Sequence, residues 1–557
     1  MRRALLILIC LGLTHVAAAS DYDVLIRGGE VYDGTGAAGR VADVGIAGDT
    51  IVAIGDLSSR TAAMQIDATG LVVAPGFINM LSWATDSLLI DGRSQSNIRQ
   101  GVTLEVFGEG MSMGPLNDAM RSGLKARMSE AAYDIPWTSL GGYLEHLTSR
   151  GVSPNVASFV GATSVRIHEM GFADRAPTEA ELGRMQVLVE EAMLEGAMGL
   201  GSSLIYAPAF YAQTDELVAL MQTAARYGGM YISHLRSEGN RLLESVDELI
   251  EIAERSQAAA EIYHLKLSGR DNWKKYDALI QRIDAARARG LAITTNMYTY
   301  TAGSTGLDAA MPPWVQEGGY QEWVRRLKNP QIRARVVAEM TQPTDQWENL
   351  LRQAGADQAL LVGFKNPQLR SYIGMTLLQV AEMKNSTPAE TAIDLVIEDG
   401  SRVQVVYFLM SEENVVKQIQ LPYMSFGSDA GSLATEGVFL LQGTHPRAYG
   451  NFARVLGRYV RDLEVLTMSE AIHKLSGLPA SNLQLKRRGT LATGNFADVV
   501  IFDPTSVRDH ATFAEPHQYA SGMVHVFVNG TQVLKHGEHT GALPGRVVRG
   551  PGWSGWR

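Results

Sequence analysis

Two histidines stand where a metal site could be built. His234 closes the apolar run of MYISHLRSEGN and His264 that of EIYHLKLSG. Each follows a short β-forming stretch and precedes a polar loop and a helix-like segment. Equivalent places on successive strand–helix units would aim both imidazoles into one mouth. Neutral imidazole nitrogens about 2.0–2.1 Å from zinc are ordinary ligands and leave an open position for water. Two buried histidines bonded to backbone would leave the same trace. Asp429 is the third candidate: MSFGSDAGS sets it after a short strand, between Gly427 and Gly431. A carboxylate there could take a proton from water and hand it to a leaving amine; an aspartate capping the next turn is the alternative.

Positioning such residues requires strand ends that converge. From Pro75 to about Leu475, apolar runs such as NVASFVGA, AMGLGSS and LAITTNMY alternate with amphipathic stretches such as ELGRMQVLVEEAMLEG and RLLESVDELIEIAERS. That alternation predicts an α/β chain with a parallel sheet, and so many units in a row suit a closed (β/α)8 barrel, with an open doubly wound sheet as the other solution. Barrel chemistry sits at the C-terminal strand ends, which sets aside His146 and His473 in helical stretches and His510, His517, His525, His536 and His539 in the C-terminal β region. Strand texture with Gly-containing turns covers residues 20–74 and returns over 486–557, so one small β domain from both termini is expected around a barrel at 75–485. Residues 308–365, with Trp314, Trp323, Pro330 and Trp347, interrupt the rhythm and read as an insertion.

The 557 residues, 46% hydrophobic, exceed one ordinary domain of roughly 100–200 residues. A net charge of −10 argues against a nucleic-acid partner, which needs a basic patch. Residues 1–19 read as a signal peptide, with Arg2 and Arg3, the apolar Ala4–Leu13 and a small Ala17-Ala18-Ala19 cleavage site before Ser20. That predicts export, to the periplasm or medium, and the run is too short for a permanent membrane anchor of about 20 residues. Cys10 is the only cysteine and lies in this leader, so the mature chain has no disulfide and no thiolate ligand. Homo-oligomerisation is left open.

Several segments together resemble the D-aminoacylase branch of the amidohydrolase superfamily: GLGSSLIYAPAFYAQTDEL, YISHLRSEGNRLLESVDELIEIA, EIYHLKLSG, TTNMYTYTAGSTGL, MSEENV, FGSDAG, HPRAYGNFARVLGRYVRD and RGTLATGNFADVVIFDP. The resemblance runs from about Asp21 to the C-terminus. It implies a metal-bearing (β/α)8 barrel with a β-sandwich from both termini, and hydrolysis of N-acyl-D-amino acids or N-acyl-D-glutamate. It also implies that His234 and His264 are metal ligands and Asp429 the catalytic acid and base. Lys266 would meet the substrate carboxylate, and Tyr298 and Ser304 would line the pocket.

The chain also departs from that branch. Where the branch carries His-x-His after the first barrel strand, APGFINMLSWATDS has Leu81 and Trp83. Where it carries a bridging cysteine in Gly-Asn-Cys-Gly, this chain reads Gly108-Glu109-Gly110, and Ala162 replaces a further histidine. The reading adopted is a single-metal site of Glu109, His234 and His264, with one Zn2+ and water; Glu105 is the alternative carboxylate. Two other functions stay open: hydrolysis of another linear or cyclic amide, and a metal-free periplasmic binding protein.

Overall fold

The computed structural model describes residues 20–128 and 131–556; the leader read over residues 1–19 lies outside them. At its centre eight parallel strands form the barrel: Phe77–Asn79, Val102–Phe107, a third interrupted at Phe159 (Asn155–Ser158 and Val160–Gly161), Gly199–Ser203, Met230–His234, Ala260–Ile262, Ile293–Met297 and Met424–Phe426. The ladder closes where the Met80 amide donates to the Phe426 carbonyl at 3.1 Å. Strands buried on both faces need continuous apolar or small residues, and all five residues of Gly199–Ser203 and of Met230–His234 are buried.

Helices cover the barrel by the usual periodicity. In Leu242–Ser256, which follows His234, Leu242, Val246, Leu249, Ile250 and Ala253 form the buried stripe. Helix Glu179–Leu194 starts at Thr178, whose side chain and that of Glu181 make a reciprocal capping box.

Both termini build one nine-stranded sheet, in which Val499–Phe502 pairs antiparallel with Val72–Pro75. The period of two sorts its side chains. Val73, Val499 and Ile501 join Val24, Ile26 and Val44 in the sheet's own core, while Val72, Ala74, Val500 and Phe502 pack with Phe77 on the barrel.

Between the seventh and eighth barrel strands the chain leaves the barrel. Strands Ala302–Gly306, Ala359–Gly363 and Gln404–Phe408 form a separate antiparallel sheet, and with the intervening helices they enclose a second core that includes Leu307, Trp323, Val336, Leu361, Ile393 and Val405. The tryptophan-rich stretch 308–365 lies inside this subdomain. The subdomain extends past the expected 308–365, because Gln404–Phe408 pairs antiparallel with Ala302–Gly306 and Ala359–Gly363; the barrel-like strand–helix texture of its later part hides that extent in the sequence.

Candidate active site

Strand ends bring the predicted residues together. Glu109 follows the second barrel strand, His234 ends the fifth, His264 and Lys266 follow the sixth, Tyr298 follows the seventh and Asp429 the eighth. The Glu109 loop is shaped by its two glycines. Gly108 (φ 110°) and Gly110 (φ 69°) adopt backbone conformations that favour glycine. A Cβ on Gly108 would lie 2.5 Å from the Phe159 carbonyl oxygen, and one on Gly110 would lie 2.6 Å from Ser203 Cβ. Ser203 is the register partner of His234, so this close approach carries Glu109 to the histidine.

Glu109 Oε1 lies 2.8 Å from His264 Nε2 and 3.1 Å from His234 Nδ1, and the two nitrogens are 3.0 Å apart. All three side chains are buried. Bonds of about 2.0–2.1 Å in tetrahedral geometry place ligand atoms roughly 3.3 Å apart, so a triangle of this size and donor chemistry fits one small divalent cation. Burial opposes ionisation of Glu109, but the charges and hydrogen bonds of His264 and His234 outweigh it and hold the carboxyl well below the usual range. Glu105 is elsewhere: its carboxylate accepts from the Ser82 and Ser94 hydroxyls, and burial raises its pKa.

Two of the residues sit in the left-handed region, His264 at φ 34° and Asp429 at φ 48°, conformations that persist where surroundings enforce them. For His264 the enforcing group is Asn296, whose side-chain oxygen accepts from the His264 amide at 2.9 Å while its carbonyl accepts from Leu265. For Asp429 it is the first barrel strand: the Asp429 amide donates to the Leu81 carbonyl at 2.9 Å and the Ser428 amide to Asn79 Oδ1 at 2.8 Å. Burial raises the Asp429 pKa; Arg447 opposes this, Glu109 adds to it, and His264 and Lys266 oppose it.

Three residues of the site carried no assignment in sequence. Arg447, in HPRAYGNF, is buried, places Nη1 2.7 Å from Asp429 Oδ2, and lies 4.3 Å above the Tyr298 ring. Its Nε has no hydrogen-bond partner, nor has the buried Tyr298 hydroxyl. Glu238 is buried beside both histidines and accepts from Lys266 Nζ at 2.7 Å. Trp83 donates its indole N–H to Glu109 Oε2. The only sequence signal is a charged residue beyond a site strand: Glu238 in the loop after His234, and Arg447 as the first residue of helix Arg447–Arg454. Ser304 lies further out, in the first strand of the subdomain, where its backbone carbonyl is 3.5 Å from Arg447 Nη2. The adjoining His445 is a structural link, its Nε2 bonded to the Ala302 carbonyl and its Nδ1 to the Arg447 amide.

A model of the amidohydrolase family matches residues 109–534. The D-aminoacylase of Alcaligenes xylosoxydans xylosoxydans is 31% identical over 531 residues, covering 95% of this chain and 98% of that protein. The N-acyl-D-glutamate deacylase of the same organism is 32% identical over 531 residues, covering 95% and 96%. The crystal structure of an N-acyl-D-glutamate deacylase from Bordetella bronchiseptica, complexed with zinc and a phosphonate mimic of the tetrahedral intermediate, matches with a TM-score of 0.78. Its identity is 29%, over 95% of this chain and 99% of that one. The match thus takes in the barrel, the terminal sheet and the subdomain alike, and the chain belongs to the amidohydrolase family.

Proposed function

We propose that this protein hydrolyses the amide bond of N-acyl amino acids, of D configuration, to a carboxylate and a free amino acid, with one bound metal ion. The observation that carries the reading is the buried triangle of Glu109, His234 and His264 beside Asp429, a carboxylate whose proton affinity is raised. A divalent cation held by those three side chains, zinc by default, would polarise the scissile carbonyl and acidify a water at its open position.

The chain's own groups supply the rest. Asp429 takes the proton of the attacking water and returns it to the departing nitrogen as the C–N bond breaks. Arg447 has guanidinium donors to spare and pairs with the substrate's carboxylate. Lys266, held by Glu238, assists with an N–H that this contact leaves over. The neutral Tyr298 hydroxyl, kept protonated chiefly by burial, donates to the substrate. Charge balance supports a substrate with a single carboxylate. Glu109, Glu238 and Asp429 oppose Lys266 and Arg447, so a divalent cation leaves the set one unit positive.

The leader at residues 1–19 supports export to the periplasm or medium. The substrate is a small molecule; among the described residues no helix is long and apolar enough to cross a membrane. The decisive experiment screens the purified chain against N-acetyl-D- and N-acetyl-L-amino acids before and after chelation. Turnover of the D series that is lost on chelation and restored by zinc is the expected result. A chain that binds N-acyl amino acids without turnover, with or without metal, would be a binding protein instead.

A further inference from the structure

The rings of His234 and His264 present one nitrogen each to Glu109 and the other to a second carboxylate. His234 Nδ1 and His264 Nε2 face Glu109. On the far side, Glu238 Oε1 lies 3.1 Å from His264 Nδ1 and Oε2 lies 3.5 Å from His234 Nε2. His234 Nε2 is otherwise a buried nitrogen with no hydrogen-bond partner. Glu238 itself is 5% exposed and comes from the loop four residues beyond His234, so the chain that delivers one ligand also delivers the group behind it.

We propose that Glu238 is a positioning residue for the metal site, one carboxylate whose two oxygens fix the tautomer and ring orientation of both histidines at once. This rests on the metal reading above. A histidine that ligates through one nitrogen carries its proton on the other, and a carboxylate accepting that proton orients the ring and raises ligand basicity. Here His264 must hold its proton on Nδ1 and His234 on Nε2, and Glu238 has one oxygen for each. Lys266 Nζ also lies 2.6 Å from His264 Nδ1. When Nδ1 carries the proton it no longer accepts from Lys266, which then keeps Glu238 as its partner.

The competing role for Glu238 is simple neutralisation of Lys266, and the two roles separate by mutation. Zinc affinity is measured by competition with a chromophoric chelator on the full chain, with circular dichroism to check folding. Glu238→Gln keeps an acceptor for one ring only, and a roughly 10–100-fold loss of zinc affinity is expected, the usual range for outer-shell partners. The double variant Glu238→Gln with Lys266→Met should stay equally weak. Wild-type affinity in the single variant, or restored affinity in the double, would overturn the proposal. A wild-type chain that binds no zinc would sink the metal reading first and this one with it. Should the variants fail to fold, the zinc-loaded wild type with 15N-labelled histidine still decides: protons on His264 Nδ1 and His234 Nε2 support the assignment, and either proton on the opposite nitrogen overturns it.

Discussion

The indole N–H of Trp83 donates to Glu109 Oε2 at 2.8 Å, while Oε1 of the same carboxylate faces His234 and His264. Both residues stand where the related branch carries metal ligands or their neighbours, and the two replacements are bonded to each other. Trp83 also anchors its backbone on the loop that carries Asp429, its amide donating to the Ala430 carbonyl. The bond uses the oxygen that faces away from the histidines, so it leaves Oε1 free to ligate alone. A bulky indole in this place also removes a donor set for a second ion, and one metal per chain is the expected content by elemental analysis. Two equivalents, both required for turnover, would contradict it.

Trp83→Phe separates the bond from the bulk. The ring survives and the donor is lost, from a hydrogen bond to a charged group of about 1.5–3 kcal/mol. If about half of that reaches the metal, ~0.8–1.5 kcal/mol, zinc affinity should fall roughly four- to tenfold. The content at saturating zinc should stay at one. Unchanged affinity in a chelator competition would show that Glu109 is oriented by other contacts.

Asp429→Asn keeps shape and backbone. Asparagine tolerates the left-handed conformation that Asp429 adopts at φ 48°, and the amide can face Arg447 through its oxygen. What is lost is the proton acceptor. Turnover should drop by roughly 10²–10⁴-fold, the usual size of a general acid–base contribution, with zinc content unchanged. Near-native turnover would remove Asp429 from proton transfer.

Much of this arrangement was legible because barrel strands announce their ends. His234, His264 and Asp429 each follow a short apolar run, and the period of the chain places such ends in one mouth. Glu109 was legible as a carboxylate between two glycines. Glu238, Arg447 and Trp83 were not, because their places depend on how loops fold back, which spacing does not encode. Trp83 in particular read only as a lost ligand. The extent of the subdomain was hidden for a related reason: Gln404–Phe408 and its helices look like one more barrel unit until pairing shows the strand antiparallel.

Metal binding should be proton-linked. In the metal-free chain burial and Lys266 oppose the charge on His264, yet Glu109, Glu238 and Asp429 raise its pKa to about 9. A raised folded-state value means that the imidazolium stabilises the metal-free fold fully below about 6.5. That contribution is lost as pH rises through about 9. A cation must displace the proton, so apparent zinc affinity should rise with pH up to about 9, at roughly tenfold per unit for one proton released, and then level. Titrations at pH 6, 7 and 8 with a pH-corrected chelator check the slope; a flat profile would show that His264 binds metal without giving up a proton.

The Glu109 loop offers two ways to test who holds the metal. Glu109→Gln preserves size and one acceptor but removes the charge that balances a divalent cation, so zinc affinity and turnover at limiting zinc should both fall. Because the amide oxygen still points at His234 and His264, excess zinc should restore part of the activity. Gly110→Cys asks the converse, whether the thiolate of the related branch can be reinstalled. The position has φ 69°, and a Cβ there would meet Ser203 Cβ at 2.6 Å and the Ser203 amide nitrogen at 2.9 Å. The cysteine should therefore destabilise the loop rather than rebuild a second site, lowering the melting temperature without adding a second metal. A Gly110→Cys chain that folds normally and takes up two zinc ions would show that this loop still has room for the older ligand, and that Glu109 is not its necessary substitute.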